Sequence, residues 1–305
     1  MDYAYFDGGF IPLSDAKISI RTHAFLYGTA LFEGIRGYWL PESNSVSIFR
    51  MREHYQRLLD NSKIFRLTPS LTLDDLMRIT VELIQKNAPK TDTYIRPTLY
   101  KGGEIITPRL DKTSNDICIW TAPLGEYVDI SKGLRVITSS WRRVDDNAIP
   151  PRAKATGAYM NSALIVTDAR LMGFDDAIVL NADGSVSEGS AMNLFLVRHG
   201  KLITPGRTDN ILEGVTRDAL ITLAREVFGL ETEERTVDRT ELYMADEAFY
   251  SGTGAQVAPV TEIDLRPVGD GKPGPITLKL QELYFRAVKN QLPAYSRWCT
   301  VVPIK

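Results

Sequence analysis

Short strand patterns alternate with amphipathic helix patterns along most of this 305-residue chain. The run 6–10, Phe-Asp-Gly-Gly-Phe, predicts a tight hairpin, because Asp and Gly suit the positive φ of a two-residue turn. Strands are predicted at 34–39, 45–49, 94–100 and 117–122, and helices at 53–65 and 73–87. This alternation predicts a mixed α/β fold.

A break in the pattern predicts two domains. Between 122 and 133, Pro123, two glycines and scattered charges interrupt the periodic segments, which is typical of a linker. The sequence therefore predicts a small N-terminal α/β domain over 1–122, an interdomain loop over 123–133 and a larger domain over 134–305. Further strands (134–138, 177–180, 193–197, 201–204, 247–250) and helices (158–172, 216–228, 277–290) make the second domain mixed α/β as well.

Composition and charge exclude several classes of partner. With 44% hydrophobic and 24% charged residues, the chain resembles an ordinary globular enzyme. A net charge of -2 offers no basic field for nucleic acid or anionic membranes. The first residues lack a signal-peptide pattern, so a cytoplasmic protein is predicted. Two distant cysteines and three scattered histidines predict neither a disulfide bridge nor a metal site.

Lys154 is the one long side chain in the run 153–158, Ala-Lys-Ala-Thr-Gly-Ala. Small neighbours leave space around its amine, which suits a lysine that condenses with a carbonyl group. Further along, Ser187-Glu188-Gly189 places an acid between small residues, where it can protonate a pyridine nitrogen. Together they predict pyridoxal phosphate as cofactor, although each alone is also compatible with a solvated surface lysine or an ordinary turn.

Three segments are candidates for holding the phosphate group. The run 214–218, Gly-Val-Thr-Arg-Asp, opens a predicted helix, where free N–H groups and the Thr216 hydroxyl would face an anion; Thr216 is alternatively only an N-cap. The Gly-rich run 251–255 follows a predicted strand. Arg57 lies on a predicted helix, where its guanidinium would bind phosphate oxygens or form a surface salt bridge.

These motifs, in this order, resemble those of the branched-chain amino-acid aminotransferases, members of the fold-type IV group of pyridoxal-phosphate enzymes. The matching segments are 19–28, 31–36, 54–63, 94–97, 153–155, 187–189, 193–195, 214–218 and 251–253. The resemblance covers nearly the whole chain. It implies two mixed α/β domains joined by a short interdomain loop, with the cofactor in the cleft between them.

The resemblance also implies a role for each matched residue. Lys154 would hold the cofactor as a Schiff base and shuttle the proton during catalysis. The implied cofactor-binding residues are Arg57, Lys154, Tyr159, Glu188, Val215, Thr216 and Thr253. The implied substrate-binding residues are Tyr27, Phe32, Gly34, Tyr94, Arg96, Tyr127, Thr253 and Gly254. Arg96 would receive glutamate's distal carboxylate, and Tyr27 would complete the site of a neighbouring subunit, so a homodimer or higher homo-oligomer is expected.

The activity that the resemblance implies is transamination of leucine, isoleucine and valine with 2-oxoglutarate or glutamate by a ping-pong mechanism. The chain departs from many bacterial relatives at Leu124, where they place a tryptophan. Our hypothesis is that this smaller side chain extends the substrate range to aromatic amino acids or (R)-amines. Alternatives within the fold are a D-amino-acid or (R)-amine transaminase and aminodeoxychorismate lyase, and a noncatalytic pyridoxal-phosphate carrier is an alternative outside catalysis.

Overall fold

Residues 2–125 and 132–304 are described by the computed structural model, and they form two compact units. The first unit comprises the described residues of Met1–Gly125 together with Ala153–Gly157 and Arg286–Lys305. The second comprises the described residues of Glu126–Arg152 and Ala158–Phe285. Each unit is built on one sheet with helices, as the alternating sequence pattern predicts.

The first unit contains an eight-stranded sheet and three helices in its N-terminal segment. Seven strands are β1 (Tyr3–Phe6), β2 (Gly9–Pro12), β3 (Ala30–Phe32), β4 (Ile35–Leu40), β5 (Ser45–Phe49), β6 (Thr93–Lys101) and β7 (Asn115–Pro123), and the eighth is the last of the chain, β17 (Cys299–Pro303). Their order is β17-β5-β4-β6-β7-β1-β2, with β3 also paired to β6. The helices are α1 (His23–Tyr27), α2 (Met51–Ser62) and α3 (Leu73–Asn87).

Local signals account for two elements of this unit. Asp7 and Gly8 take φ angles of 49° and 79°, which turn β1 into β2 as a two-residue hairpin. At the start of α3, the Thr72 hydroxyl accepts from the Asp75 N–H at 3.2 Å, and the Asp75 carboxylate accepts from the Thr72 N–H at 3.1 Å. This reciprocal capping box fixes where the helix begins. The helix predicted over 53–65 is shifted: α2 runs from Met51 to Ser62.

The C-terminal strand departs from the predicted domain organisation. β17 pairs antiparallel with β5, from Cys299 opposite Phe49 to Pro303 opposite Ser45. The predicted domain over 134–305 therefore differs from the observed unit at its end, because the open edge of β5 provides hydrogen-bonding partners for the last strand. The segment Ala153–Gly157, which carries Lys154, likewise belongs to the first unit.

The second unit contains a nine-stranded sheet. Its strands are β8 (Leu134–Arg142), β9 (Asp176–Leu180), β10 (Val186–Gly189), β11 (Asn193–Arg198), β12 (Lys201–Thr204), β13 (Thr232–Glu234), β14 (Glu247–Gly252), β15 (Gln256–Ile263) and β16 (Arg266–Pro267). The order is β10-β9-β8-β15-β14-β11-β12-β13, with β16 paired to β15. Helices of this part of the chain are α4 (Tyr159–Leu171), α5 (Val215–Phe228) and α6 (Pro275–Val288). The core includes the fully buried side chains of Val136, Ile178, Leu196 and Tyr250.

The predicted interdomain loop spans residues 123–133. Residues 126–131, including the predicted substrate-binding Tyr127, lie outside the described residues. Pro123, the first residue of that loop, instead closes β7. Across the described ranges, none of the helices has the length and apolar character needed to cross a membrane.

Candidate active site

Lys154 is held beside β3 by main-chain contacts. Ala155 forms an antiparallel bridge with Leu31, and the Phe32 N–H donates to the Lys154 carbonyl at 3.0 Å. Ala153 and Ala155 are buried, whereas Lys154 between them is half-buried. The segment thus behaves as a short extra strand, and its alternation presents Lys154 on the opposite side from its two alanine neighbours.

Glycines at 28 and 157 permit the close approach that fixes this segment. Gly28 ends α1 in the left-handed region, with a φ of 65°. A Cβ on Gly28 would lie 2.8 Å from the Cα of Gly157, closer than two carbon atoms can pack. The Gly157 N–H donates to the Gly28 carbonyl at 3.2 Å. Gly157 therefore has a packing role, in addition to leaving space around the Lys154 side chain.

An aromatic cluster lies next to the lysine amine. Lys154 Nζ is 5.0 Å from the centroid of the Phe32 ring, and the Arg96 guanidinium carbon is 4.0 Å from the same centroid. Arg96 Nε donates to the Tyr94 hydroxyl at 2.8 Å. A Cβ on Gly34 would meet that hydroxyl at 2.7 Å, so glycine is needed there to admit the tyrosine. The structure brings together Lys154 and four of the predicted substrate-binding residues.

Arg96 has an unusual environment for a half-buried cation. Its guanidinium stacks against the rings of Phe32, Tyr94 and Trp120, and no carboxylate of the described residues forms an ion pair with it. Aromatic faces stabilise a cation without neutralising it. Arg96 therefore retains a positive charge that an incoming carboxylate can pair with.

Arg57 is part of a buried group that the sequence reasoning did not find. Its Nε and Nη2 donate to Oε1 and Oε2 of Glu33 at 2.8 and 2.7 Å. His54 Nδ1 lies 2.8 Å from Oε2 of the same carboxylate. Glu33 is fully buried. A glutamate in the otherwise apolar run Leu-Phe-Glu-Gly-Ile was the available sequence signal, because a buried carboxylate requires partners.

The charge state of this group follows from burial and pairing. Burial raises the pKa of Glu33, but Arg57 and His54 outweigh that effect and bring it to about 2. Burial lowers the pKa of His54, against the opposing influence of Glu33. At neutral pH the carboxylate is therefore ionised and His54 is neutral. Since an ionised carboxylate only accepts hydrogen bonds, His54 carries its proton on Nδ1.

Glu188 forms the centre of a second cluster, in the second unit. The residue is 2% exposed, and its carboxylate accepts from Arg143 Nη2, from Asn193 Nδ2 at 2.8 Å and from the Leu212 N–H at 3.3 Å. Burial lowers the pKa of Arg143 to about 10, with Tyr159 acting in the opposite direction, so the guanidinium stays charged at neutral pH. The predicted acid is thus paired, and its partners Arg143 and Asn193 were missed by the sequence reasoning.

Two of the three predicted phosphate-binding segments, 214–218 and 251–255, lie close to this acid within the second unit. A Cβ on Gly214, the N-cap of α5, would lie 2.0 Å from Asn193 Oδ1, so the helix begins against the Glu188 cluster. The N-cap position of α5 is taken by Gly214, and Thr216 is the second residue of the helix. The alternative that Thr216 is the N-cap is therefore wrong. Asn193 also pairs with Ser251, which puts the turn of Thr253 and Gly254 at the same end of the sheet.

Tyr27 makes its described contacts within the first unit. It is the last residue of α1, is partly exposed, and donates a hydrogen bond from its hydroxyl to the Ile106 carbonyl. Its predicted role in a neighbouring subunit's site stays a prediction.

Comparison with known proteins places this architecture in a family. Residues 30–263 match the family model for class IV amino-transferases. A probable branched-chain-amino-acid aminotransferase of Aquifex aeolicus is 48% identical over 302 residues, covering 99% of this chain and 97% of that protein. The match extends well beyond the short motifs around Lys154 and Glu188.

Two solved structures show the same fold. The branched-chain aminotransferase of the archaeon Thermoproteus uzoniensis, solved with norvaline, has a TM-score of 0.94 and 40% identity, and the match covers 99% of each chain. The PLP-form of the Thermobaculum terrenum enzyme has a TM-score of 0.94 and 38% identity, covering 99% of this chain and 98% of that one. These matches define an aminotransferase fold and confirm the predicted fold class. The chain belongs to the class IV aminotransferase family.

Proposed function

We propose that this protein is a pyridoxal-phosphate-dependent branched-chain amino-acid aminotransferase. The observation that carries the proposal is the placement of Lys154, on a segment bonded to β3, with its amine 5.0 Å from the Phe32 ring centroid. Relatives named for this activity match over nearly the full chain, and one of them was solved in its PLP-form. The reaction moves an amino group from leucine, isoleucine or valine to 2-oxoglutarate, in two half-reactions of a ping-pong mechanism.

The residues present fit pyridoxal phosphate. Thr216 is 4% exposed and lies in the first turn of α5. Together with the free N–H groups in the first turn of α5, it provides donors for a phosphate dianion. Ser251 Oγ, near the turn of Thr253, is buried without a hydrogen-bond partner among the described residues. Orphaned donors next to a buried acid are what an anionic pyridine cofactor would satisfy.

Lys154 would act both as the anchor and as the base. When bound, the cofactor supplies an aldehyde that accepts the amino group and a protonated ring that withdraws electrons from the substrate's α-carbon. Nζ of Lys154 would hold the cofactor at rest and would be released when a substrate amine takes its place. The freed amine would then move the proton from the substrate's α-carbon to the cofactor in the first half-reaction, and in the opposite direction in the second.

Glu188 would keep the ring nitrogen protonated. Its carboxylate is paired with Arg143 and oriented by Asn193, and its oxygens would accept a hydrogen bond from a pyridinium N–H. Tyr159, at the first position of α4, would bond the cofactor's phenolic oxygen. Arg57, Val215, Thr216 and Thr253 would hold the phosphate, which serves as a handle remote from the reacting carbon.

Two carboxylates of glutamate need separate partners. Arg96, with its charge unbalanced by any described carboxylate, is suited to the distal one. The N–H groups of Thr253 and Gly254 would bind the α-carboxylate. Phe32, Tyr94 and Tyr127 would provide the apolar walls that branched side chains require, with Gly34 leaving room for the Tyr94 ring.

We also propose a cytoplasmic homodimer or higher homo-oligomer, in which Tyr27 completes the partner's site. Support comes from an exposed apolar surface around α1. Phe25 is 65% exposed, and Ile106, whose carbonyl accepts from Tyr27, is 80% exposed. Clustered exposure of large apolar side chains is typical of an interaction surface.

The substrate range is proposed to extend beyond branched aliphatic amino acids, because Leu124 stands where the resemblance leads us to expect a larger tryptophan. Its N–H donates to the Asp92 carbonyl at 2.9 Å, so its main chain is anchored in the first unit. Relative rates for leucine, phenylalanine and (R)-1-phenylethylamine measure this range. Strict rejection of the last two would contradict the extension without affecting the main proposal.

The decisive assay for the main proposal is the chirality of the donor. We expect consumption of L-leucine with 2-oxoglutarate, and bleaching of the yellow holoprotein by L-leucine. Consumption of D-alanine alone would favour a D-amino-acid transaminase, and cofactor binding without turnover would favour a noncatalytic carrier.

A further inference from the structure

Arg57 does not present an independent guanidinium to a ligand, because one edge of it is held by Glu33. The edge defined by Nε and Nη2 makes two parallel bonds to the carboxylate, at 2.8 and 2.7 Å. Such a fork fixes the guanidinium plane as well as its distance. Glu33 therefore engages neither Nη1 nor the second N–H of Nη2.

Glu33 is itself fixed from two directions. Its N–H donates to the Pro97 carbonyl at 3.0 Å, and His54 Nδ1 lies 2.8 Å from its Oε2. His54 and Arg57 are three residues apart on α2, so both face the same side of the helix. Glu33 is fully buried.

We infer that Glu33 is a positioning residue, held by His54, which aims Arg57 at the phosphate group of the cofactor. The inference rests on the proposed function, because it concerns the phosphate handle of pyridoxal phosphate. Glu33 balances the charge of Arg57, so the pair is neutral as a whole. Arg57 then contributes directed hydrogen bonds, and their direction depends on the length of the Glu33 side chain.

Substitution E33D separates position from charge. The shorter side chain keeps the negative charge but withdraws the carboxylate by about 1.5 Å, one carbon–carbon bond. It cannot reach both guanidinium donors while Arg57 stays in place. Weaker repulsion between the carboxylate and the phosphate would strengthen phosphate binding. A loss of phosphate binding in E33D therefore reports the position of the carboxylate and not its charge.

The experiment compares pyridoxal phosphate with pyridoxal, which lacks the phosphate. Full-length protein freed of cofactor is titrated with each, and the ratio of the two dissociation constants measures the contribution of the phosphate contacts. We expect E33D to lower this preference about tenfold, since charge-assisted bonds are lost only for the phosphorylated ligand. Affinity for pyridoxal should stay near the wild-type value.

A matched control is available in the same unit. Asp92 accepts from Nε and Nη2 of Arg36, at 3.2 and 2.9 Å, in another carboxylate–arginine pair. D92E also changes the carboxylate position by one carbon, and we expect it to leave the preference for the phosphate unchanged. If E33D does not fold, the pair H54N and H54L replaces it. Asparagine retains an N–H at the position of Nδ1 and should preserve the preference, whereas leucine should lower it.

The possible failures are distinguishable. If the wild-type protein binds neither compound, the proposed function fails. If it binds pyridoxal phosphate strongly and E33D shows the same preference as wild type, only the positioning role of Glu33 is overturned. Equal preferences in H54N and H54L would remove His54 from the group.

Discussion

The contact between Gly28 and Gly157 predicts a specific penalty for adding one methyl group. Alanine at 28 would place its Cβ 2.8 Å from the Gly157 Cα, in a main chain that has no flexible end to move aside. The left-handed φ of 65° costs an alanine about 1–2 kcal/mol relative to glycine. The overpacking adds about 1–3 kcal/mol. We therefore expect G28A to lose about 2–5 kcal/mol of unfolding free energy, the sum of these two terms.

Gly229 is a control with the same backbone conformation. It ends α5 with φ 63° and ψ 21°, against 65° and 26° for Gly28 at the end of α1. No atom lies within 4 Å of a Cβ built on Gly229. G229A should thus lose only the unfolding free energy that the left-handed backbone costs an alanine, about 1–2 kcal/mol.

Urea denaturation followed by circular dichroism measures both variants. G28A should be less stable than G229A by the overpacking term, and it should also bind less pyridoxal phosphate per chain, because the displaced segment carries Lys154. Equal losses of unfolding free energy in G28A and G229A would refute the close approach of Gly28 to Gly157. Unchanged cofactor uptake by G28A would refute the link to Lys154.

Three further results are expected. E188Q should lower the transamination rate about 10²–10⁴-fold, by analogy with the loss of other proton-transfer groups, with normal binding of pyridoxal phosphate; a rate near wild type would contradict the role of the acid. T72A removes the capping box of α3 and should cost about 1 kcal/mol in urea denaturation, and no loss would mean that the cap is not formed in solution. The pKa of Glu33 is lowered to about 2, so its contribution to stability is complete above the unfolded-state value near 4.5 and is lost as the pH falls towards 2. The free energies of unfolding of wild type and E33Q should therefore converge as the pH falls through this range. A difference between them that does not change with pH would contradict the lowered pKa.

Elements with a local cause were predictable from the sequence. The hairpin follows from Asp7 and Gly8, which tolerate positive φ, and α3 follows from the Thr72 and Asp75 box. β17 could not be found in this way, because its partner strand lies some 250 residues earlier and its register depends on which sheet edge is open. The grouping of the Lys154 segment with the first unit likewise depends on contacts that are distant in sequence, such as the bridge between Leu31 and Ala155.

The candidate site divides along similar lines. Lys154 and Glu188 could be selected because small neighbours set them apart in the sequence. Glu33 carried only the signal of a carboxylate in an apolar run, and His54 and Arg143 carried none. Their significance lies in partners brought together by folding: Glu33 with Arg57, and Arg143 with Glu188. Single-sequence patterns identify reactive groups more readily than the charged side chains that orient them.

The central claim is that the Lys154 amine carries the cofactor. Borohydride reduction of the holoprotein, followed by peptide mapping, tests it directly, because reduction makes the carbon–nitrogen link permanent. We expect one phosphopyridoxyl group per chain, on the peptide that contains Lys154, and none in K154A. A label on another lysine, or no label on a protein that transaminates L-leucine, would contradict the account.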